Sequence, residues 1–346
     1  MKEKLFPTLE DVKLECVLVQ AWKKSSAYIR YHNWYADTLG LDYQSLRLPQ
    51  FIKELQEKLE DSWKTTPLKV VPAPKSQKWA IGDDNNWKQK QGEDISNKLR
   101  PLAHVSFEDQ IVSSAIMLCL ANHVETLQGN PETDITRTEN RKKVINYGNR
   151  LFCDYSDDGA AQHRWGSSTL YRKYFTDYQT FLRRPEIVAK EIRSSFSVGY
   201  EVAIVHCDLS KFYDRVRPDN LHDKIRRHAP QEIQDDLLNL AKSVFNWTWH
   251  DSEWADNYAK KNEIDDFGTI ALPQGLVSSG FFANIFLIDF DEALKSSFTQ
   301  TIKNNISLID ACRYVDDLRL VLAVPKDAEE KVVKDNVTNW LQAKLD

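Results

Sequence analysis

Asp316 and Asp317 stand side by side between apolar residues in the run Arg313-Tyr314-Val315-Asp316-Asp317-Leu318-Arg319-Leu320-Val321-Leu322, a pattern that predicts a hairpin with the two acids at its tip. Neighbouring strand residues point to opposite faces. Only a turn lets both carboxylates approach one site, and there they repel unless a cation neutralises them. A third acid meets the same requirement: Asp208 ends the apolar run Val202-Ala203-Ile204-Val205-His206-Cys207, which reads as a buried strand delivering a carboxylate at its terminus. Magnesium takes oxygen ligands in octahedral geometry, and two such ions a few ångströms apart stabilise both the attacking and the leaving oxygen of an in-line phosphoryl displacement. Singly, each motif has a plainer reading as well: a capped strand end for Asp208, a solvated turn for Asp316-Asp317.

Between the two acidic motifs, Leu272-Pro273-Gln274-Gly275 leads into Leu276-Val277-Ser278-Ser279-Gly280-Phe281-Phe282-Ala283-Asn284. This is a tight turn feeding a helix start rich in small residues, which let a bulky ligand approach the backbone. Gln274 offers a donor and an acceptor, suited to a nucleotide sugar or base edge, although a single turn glutamine is more often just solvated.

These motifs need a scaffold, and the chain is long enough to build one. Its 346 residues, 42% of them hydrophobic, suffice for a buried core in two or three structural units. The first 65 residues place Val12, Cys16, Val19, Ala21 and Trp22, then Phe51, Ile52, Leu55 and Leu59, at helical spacing. Pro67, Pro72 and Pro74 break that pattern and predict a connector running to Lys78. From Gly82 to Lys98 the chain is polar, with Lys88, Lys90 and Lys98 among acids and amides, and predicts a loop or mobile hairpin. Ser106-Phe107-Glu108-Asp109 fits a capping box and opens a helix over 107–127. Tyr171, Tyr174, Phe175, Tyr178 and Phe181 recur at helical spacing; such a stripe reads as core-facing rather than as a base-stacking platform.

Composition limits the partners. A net charge of −5 and a pI near 6.0 are not the basic signature of a nucleic-acid binder, yet a local channel of Lys and Arg can act while the outer surface stays acidic. No apolar run approaches the roughly 20 residues of a membrane span, and no leader pattern opens the chain; the expectation is a cytoplasmic protein with no membrane partner. Cys16, Cys119, Cys153, Cys207 and Cys312 lie far apart without zinc spacing, which predicts reduced thiols.

Taken in order, Asp-Leu-Ser-Lys-Phe-Tyr-Asp (208 to 214), Leu-Pro-Gln-Gly (272 to 275) and Tyr-Val-Asp-Asp (314 to 317) resemble the three palm motifs of the reverse transcriptases. Upstream, Leu99-Arg100-Pro101-Leu102 and Phe107-Glu108-Asp109-Gln110-Ile111-Val112 resemble that family's fingers motifs, and the likeness spans about 98 to 325. The resemblance implies an α+β right-hand polymerase: a helical N-terminal unit (1–75), fingers with a helical insertion (76–200), and a palm with an antiparallel sheet (201–346), no thumb being evident. It makes Asp208, Asp316 and Asp317 the catalytic metal ligands, with the Leu209 carbonyl a further one, for two Mg2+ ions that Mn2+ can replace. Arg100 holds the triphosphate, a planar guanidinium suiting phosphate oxygens. Tyr213 falls on the sugar-gate position, where a ring excludes a 2′-hydroxyl. The implied partners are dNTPs, an RNA template and nascent DNA.

A looser resemblance, carried by Tyr147-Gly148-Asn149-Arg150-Leu151 and Trp165-Gly166-Ser167-Ser168, is to bacterial defence-associated and abortive-infection reverse transcriptases. It implies antiphage defence, protein-primed or untemplated DNA synthesis, a defence-system protein or noncoding RNA as partner, and an oligomer. Two rival readings stand beside the polymerase: an RNA-dependent RNA polymerase, which Tyr213 argues against, and a non-catalytic nucleic-acid-binding module, which three intact acids argue against.

Overall fold

The computed structural model describes residues 5–33, 35–74, 79–89, 99–193 and 199–345; Lys78, Lys90 and Lys98 lie outside them. Four helices, Leu9–Lys13, Glu15–His32, Thr38–Leu46 and Leu48–Glu60, occupy the N-terminal region, as the apolar spacing predicts. Val17, Leu18, Ala21, Phe51, Ile52 and Leu55 are all essentially inaccessible, and Glu15–His32 packs against both Leu48–Glu60 and the helix Phe107–Gln128. That helix starts where the capping box places it, the Ser106 hydroxyl accepting the Asp109 amide at 3.1 Å, and ends one residue beyond the expected 127. Its apolar residues face every direction, and residues 109–121 are all buried.

The proline-broken connector is a strand. Lys69–Pro74 pairs antiparallel with Leu99–His104, and prolines are tolerated there because a two-stranded ribbon leaves one edge of each strand unpaired. The polar stretch after Gly82 forms the turn of a short hairpin, Trp79–Ile81 with Trp87–Gln89, the hairpin alternative of the sequence reading.

A four-stranded antiparallel sheet carries the acids. Its order is Thr301–Lys303, Ile306–Tyr314, Asp317–Pro325, Tyr200–Asp208. The Asp208 strand is not buried as its apolar run suggests. It is the edge strand, with alternating exposure along its length and Ile204 37% exposed; an apolar run reports burial only if both faces are covered. One face of the sheet packs through Leu318, Leu320 and Leu322 into the main core. On the other face lies the helix Tyr174–Arg193, joined to it by the buried pair Arg184–Asp310. This helix begins at Tyr174, so Tyr171 falls outside it and instead donates its hydroxyl to the Val277 carbonyl at 2.8 Å.

All five cysteines are free thiols. Among the described residues no helix is long and apolar enough to cross a membrane.

Candidate active site

The sheet register sets the geometry of the three acids. Asp208, the last residue of its strand, lies directly opposite Asp317, the first residue of the neighbouring strand, and directly opposed residues of antiparallel strands share one face. Asp316 occupies the two-residue turn between Tyr314 and Asp317, and its carbonyl accepts the Leu209 amide at 3.0 Å. Both acidic motifs are thereby tied into one strand end.

The turn itself is held from below. Val315 adopts φ +59°, a left-handed conformation that a β-branched residue takes only when its surroundings impose it. Arg313, fully buried, donates to the Val315 carbonyl at 2.8 Å while forming a bidentate pair with Asp291 at 2.8 and 2.6 Å. Alongside, the Tyr147 amide donates to the Arg313 carbonyl and the Arg313 amide to the Ile145 carbonyl, so residues 145–147 flank the end of the strand that carries the turn.

Electrostatics follow from this crowding. Burial raises the Asp316 carboxyl above its ordinary pKa, and the charges of Asp208 and Asp317 raise it further against a lowering contribution from Arg100. Asp317 is raised by burial and then by Asp208, with Arg319 and His206 opposing. The donors are all hard oxygens, the set magnesium prefers. Among the described residues no three His, Cys, Asp or Glu side chains close on a common point. The residue types and their backbone placement fit a magnesium site whose side chains must still converge.

Arg100 lies on the ribbon strand Leu99–His104, exposed, with its charge felt at Asp316. That strand is joined to the Leu272–Gly275 turn: the Ala103 amide donates to the Gln274 carbonyl at 2.7 Å. Gly275 sits at φ +144°, and a Cβ there would meet the Ala103 carbonyl oxygen at 2.2 Å, so this close approach requires glycine. Gln110 clamps the turn, its side chain donating to the Gly275 carbonyl and accepting from the Val277 amide, both at 2.8 Å.

Gln274 and Tyr213 each have a partner that the sequence did not reveal. The Gln274 Nε2 donates to Asp214 Oδ1 at 3.2 Å, and the other Asp214 oxygen accepts the Tyr258 hydroxyl at 3.0 Å. Asp214 thus engages the amide nitrogen of Gln274. Tyr213 is half-buried, edge-on to Phe212 at 5.4 Å, and its hydroxyl accepts from Asn149 Nδ2 at 3.2 Å. Burial first, and then the Asp316 charge, raise its phenol pKa, so the hydroxyl stays protonated. Asp214 and Asn149 lie inside motifs that the sequence reading singled out, but a local motif carries no signal of a partner 64 residues away.

Residues 88–344, well over half of the chain, match the family model described as reverse transcriptase (RNA-dependent DNA polymerase). Comparison with curated proteins gives no match.

Proposed function

The chain belongs to the reverse transcriptase family, and from that premise we propose that it catalyses two-metal transfer of deoxynucleotides onto a 3′-hydroxyl or protein hydroxyl at Asp208, Asp316 and Asp317. A domain of this family implies nucleic acid and dNTPs as substrates. The observation that carries the reading is the pairing of Asp208 with Asp317 at one strand end, with Asp316 tied in through the Leu209 amide.

Asp208, Asp316, Asp317 and the Leu209 carbonyl would hold two magnesium ions, which when bound neutralise phosphate charge and stabilise the entering and departing oxygens. Arg100 reaches the triphosphate with its guanidinium fork. The Tyr213 ring, braced by Asn149, fills the space a 2′-hydroxyl would need. Gln274, its nitrogen fixed by Asp214, presents an acceptor to the nucleotide. In this reading the four-stranded sheet is the palm and the ribbon carrying Arg100 belongs to the fingers. Most of the rate then comes from positioning and electrostatics. The antiphage role rests on the Tyr147–Leu151 and Trp165–Ser168 segments, the first of which lies against the acid-bearing turn.

The test is incorporation of labelled dNTPs by purified protein with magnesium or manganese, with and without an RNA template and primer, beside Asp208→Asn. Templated incorporation lost in the variant supports a reverse transcriptase; untemplated incorporation lost in the variant supports defence-type synthesis. Incorporation that survives Asp208→Asn overturns the assignment of the acids.

A further inference from the structure

The aromatic stripe read from sequence as core divides into two parts. Phe181 is buried, as a core residue should be, but Tyr174 and Phe175 are 59% and 68% exposed at the start of their helix. Tyr174 stacks on Tyr178, ring centroids 5.0 Å apart and planes 17° from parallel. Both rings meet the edge or face of Tyr314, at 5.5 and 5.1 Å, and Tyr314 is the direct cross-strand partner of Asp317. Tyr174 and Tyr178 therefore stand beside the acid-bearing turn. Partial burial, then Tyr178 and the Asp317 charge, push the Tyr174 phenol above its ordinary pKa, consistent with that closeness.

Large exposed aromatics need an explanation when they gather beside a reactive centre. Packing does not supply one, since the ring pair Tyr174–Tyr178 presents its outer face to solvent. Planar rings stacked in register are the surface on which nucleobases stack, an interaction indifferent to sequence because every base has a π-face. Two cations lie on neighbouring segments: Lys173 precedes Tyr174 and is exposed, and Arg319, on the sheet face of Asp317 with His206 directly opposite it, has its guanidinium 5.2 Å from the buried Phe181 ring two turns along the same helix.

We propose that Tyr174, backed by Tyr178, is a stacking site for a terminal base of the acceptor strand, the polynucleotide whose 3′-hydroxyl reacts at Asp208, Asp316 and Asp317. The proposal rests on the polymerase reading above and adds to it a sequence-tolerant grip on the strand end. A deoxynucleotide held on this surface has its sugar next to the acids, so the rings position the reacting end without touching the triphosphate.

The experiment uses the full chain and a fluorescent oligothymidylate. Tyr174→Ala weakens oligothymidylate binding, read by anisotropy without dNTPs, by roughly ten-fold, the loss of one stacked base. In synthesis assays the same variant raises KM for the acceptor strand by a similar factor and leaves KM for dNTP within about two-fold. Tyr174→Phe retains both values, since the ring suffices, and Tyr31→Ala, at an 88% exposed ring outside the site, serves as the surface control. Unchanged binding in Tyr174→Ala, or a Tyr174→Phe variant as impaired as the alanine, overturns the stacking site; so does a drop confined to KM for dNTP. A change in oligomeric state with unchanged oligothymidylate affinity assigns the patch to a second copy of the chain and overturns it too. If the wild-type chain binds oligothymidylate but incorporates nothing, the polymerase reading fails, and the anisotropy comparison still decides the stacking site.

Discussion

Gly148 lies against Val315: a Cβ on the glycine would come within 2.4 Å of the Val315 amide nitrogen and 2.7 Å of a Val315 methyl. The segment Tyr147-Gly148-Asn149 and the acid-bearing turn are therefore fitted to each other at van der Waals distance, and no side chain can enter between them without moving one. The neighbours are backbone and a β-branched residue already at positive φ, so neither yields cheaply. Gly148→Ala should displace the turn, costing about 1–3 kcal/mol of stability as overpacking does and at least ten-fold in nucleotide incorporation. Urea unfolding and an incorporation assay on the same preparation check this; full activity in the alanine variant would show that the turn tolerates the shift.

Beneath the same turn, Asp291 and Arg313 form a bidentate pair, both at most 7% exposed. Removing one partner leaves the other charge buried and unpaired. Asp291→Asn should destabilise by roughly 3 kcal/mol or more, whereas a double change to apolar residues of similar size recovers much of that. Activity in the double variant should stay low, because the Val315 carbonyl loses its Arg313 donor. A double variant restored in both stability and incorporation would mean that the turn holds its shape without Arg313.

The parts of this site that were legible in sequence are those where chemistry demands a residue type at a strand end or turn. Asp208, Asp316, Asp317 and the Ser106 cap declare themselves through their neighbours; the register sets Asp208 opposite Asp317, and the Asp316 carbonyl takes the Leu209 amide. What was not legible depends on what covers a residue. The run Val202–Cys207 looks the same whether its strand is central or at an edge, and here it is at an edge. Helical spacing gives the phase of Tyr174 and Phe181 but not how much of each ring is covered: Phe181 is buried and Tyr174 is largely in solvent. The pairs Asn149–Tyr213 and Gln274–Asp214 span 64 and 60 residues, a range over which local pattern carries no information. Prolines concealed the Lys69–Pro74 strand, because their cost vanishes on an unpaired edge.

Tyr213 yields a prediction that separates its ring from its hydroxyl. If the ring fills the space of a 2′-hydroxyl, Tyr213→Val admits ribonucleotides, shifting the dNTP to rNTP ratio of kcat/KM by the roughly 1–3 kcal/mol that one steric group commands, about 10- to 200-fold. Tyr213→Phe should keep the discrimination and lose only the bond from Asn149. Competition between the two nucleotides on one template reads this ratio directly, and a valine variant as selective as wild type would remove Tyr213 from the gate.

Asp214 takes the side-chain nitrogen of Gln274 on one oxygen and the Tyr258 hydroxyl on the other. As a carboxylate it only accepts, so the Gln274 nitrogen must face it and the oxygen must face away. Asp214→Asn can donate as well, which frees the Gln274 amide to turn over and loses one charge-assisted bond, about 1 kcal/mol. KM for dNTP should rise roughly five-fold with kcat little changed. Equal loss in kcat and kcat/KM would instead mean that Asp214 supports the transition state.

His163 sets an acid limit on stability. It is 2% exposed, its Nδ1 lies 4.0 Å from the Cys153 sulfur, and its Nε2 has no hydrogen-bond partner among the described residues. Burial, with the Lys24 charge behind it, drives the imidazole from its ordinary 6.5 down to about 3. The folded chain thus keeps the ring neutral where the unfolded chain protonates it. The stability contributed by the neutral ring is complete above the unfolded pKa of 6.5 and is lost as pH falls toward 3, at about 1.4 kcal/mol per pH unit. Lys24 does not cancel this slope. Its ammonium, held on the Arg164 and Ser167 carbonyls, is lowered by burial to about 8 and titrates only above that window. Urea unfolding at about pH 7 and about pH 5.5 should therefore differ by roughly 1–2 kcal/mol in wild type, and His163→Leu should flatten the difference by that amount. A leucine variant with the wild-type slope would mean that other groups carry the acid limit and that His163 takes up its proton without unfolding the chain.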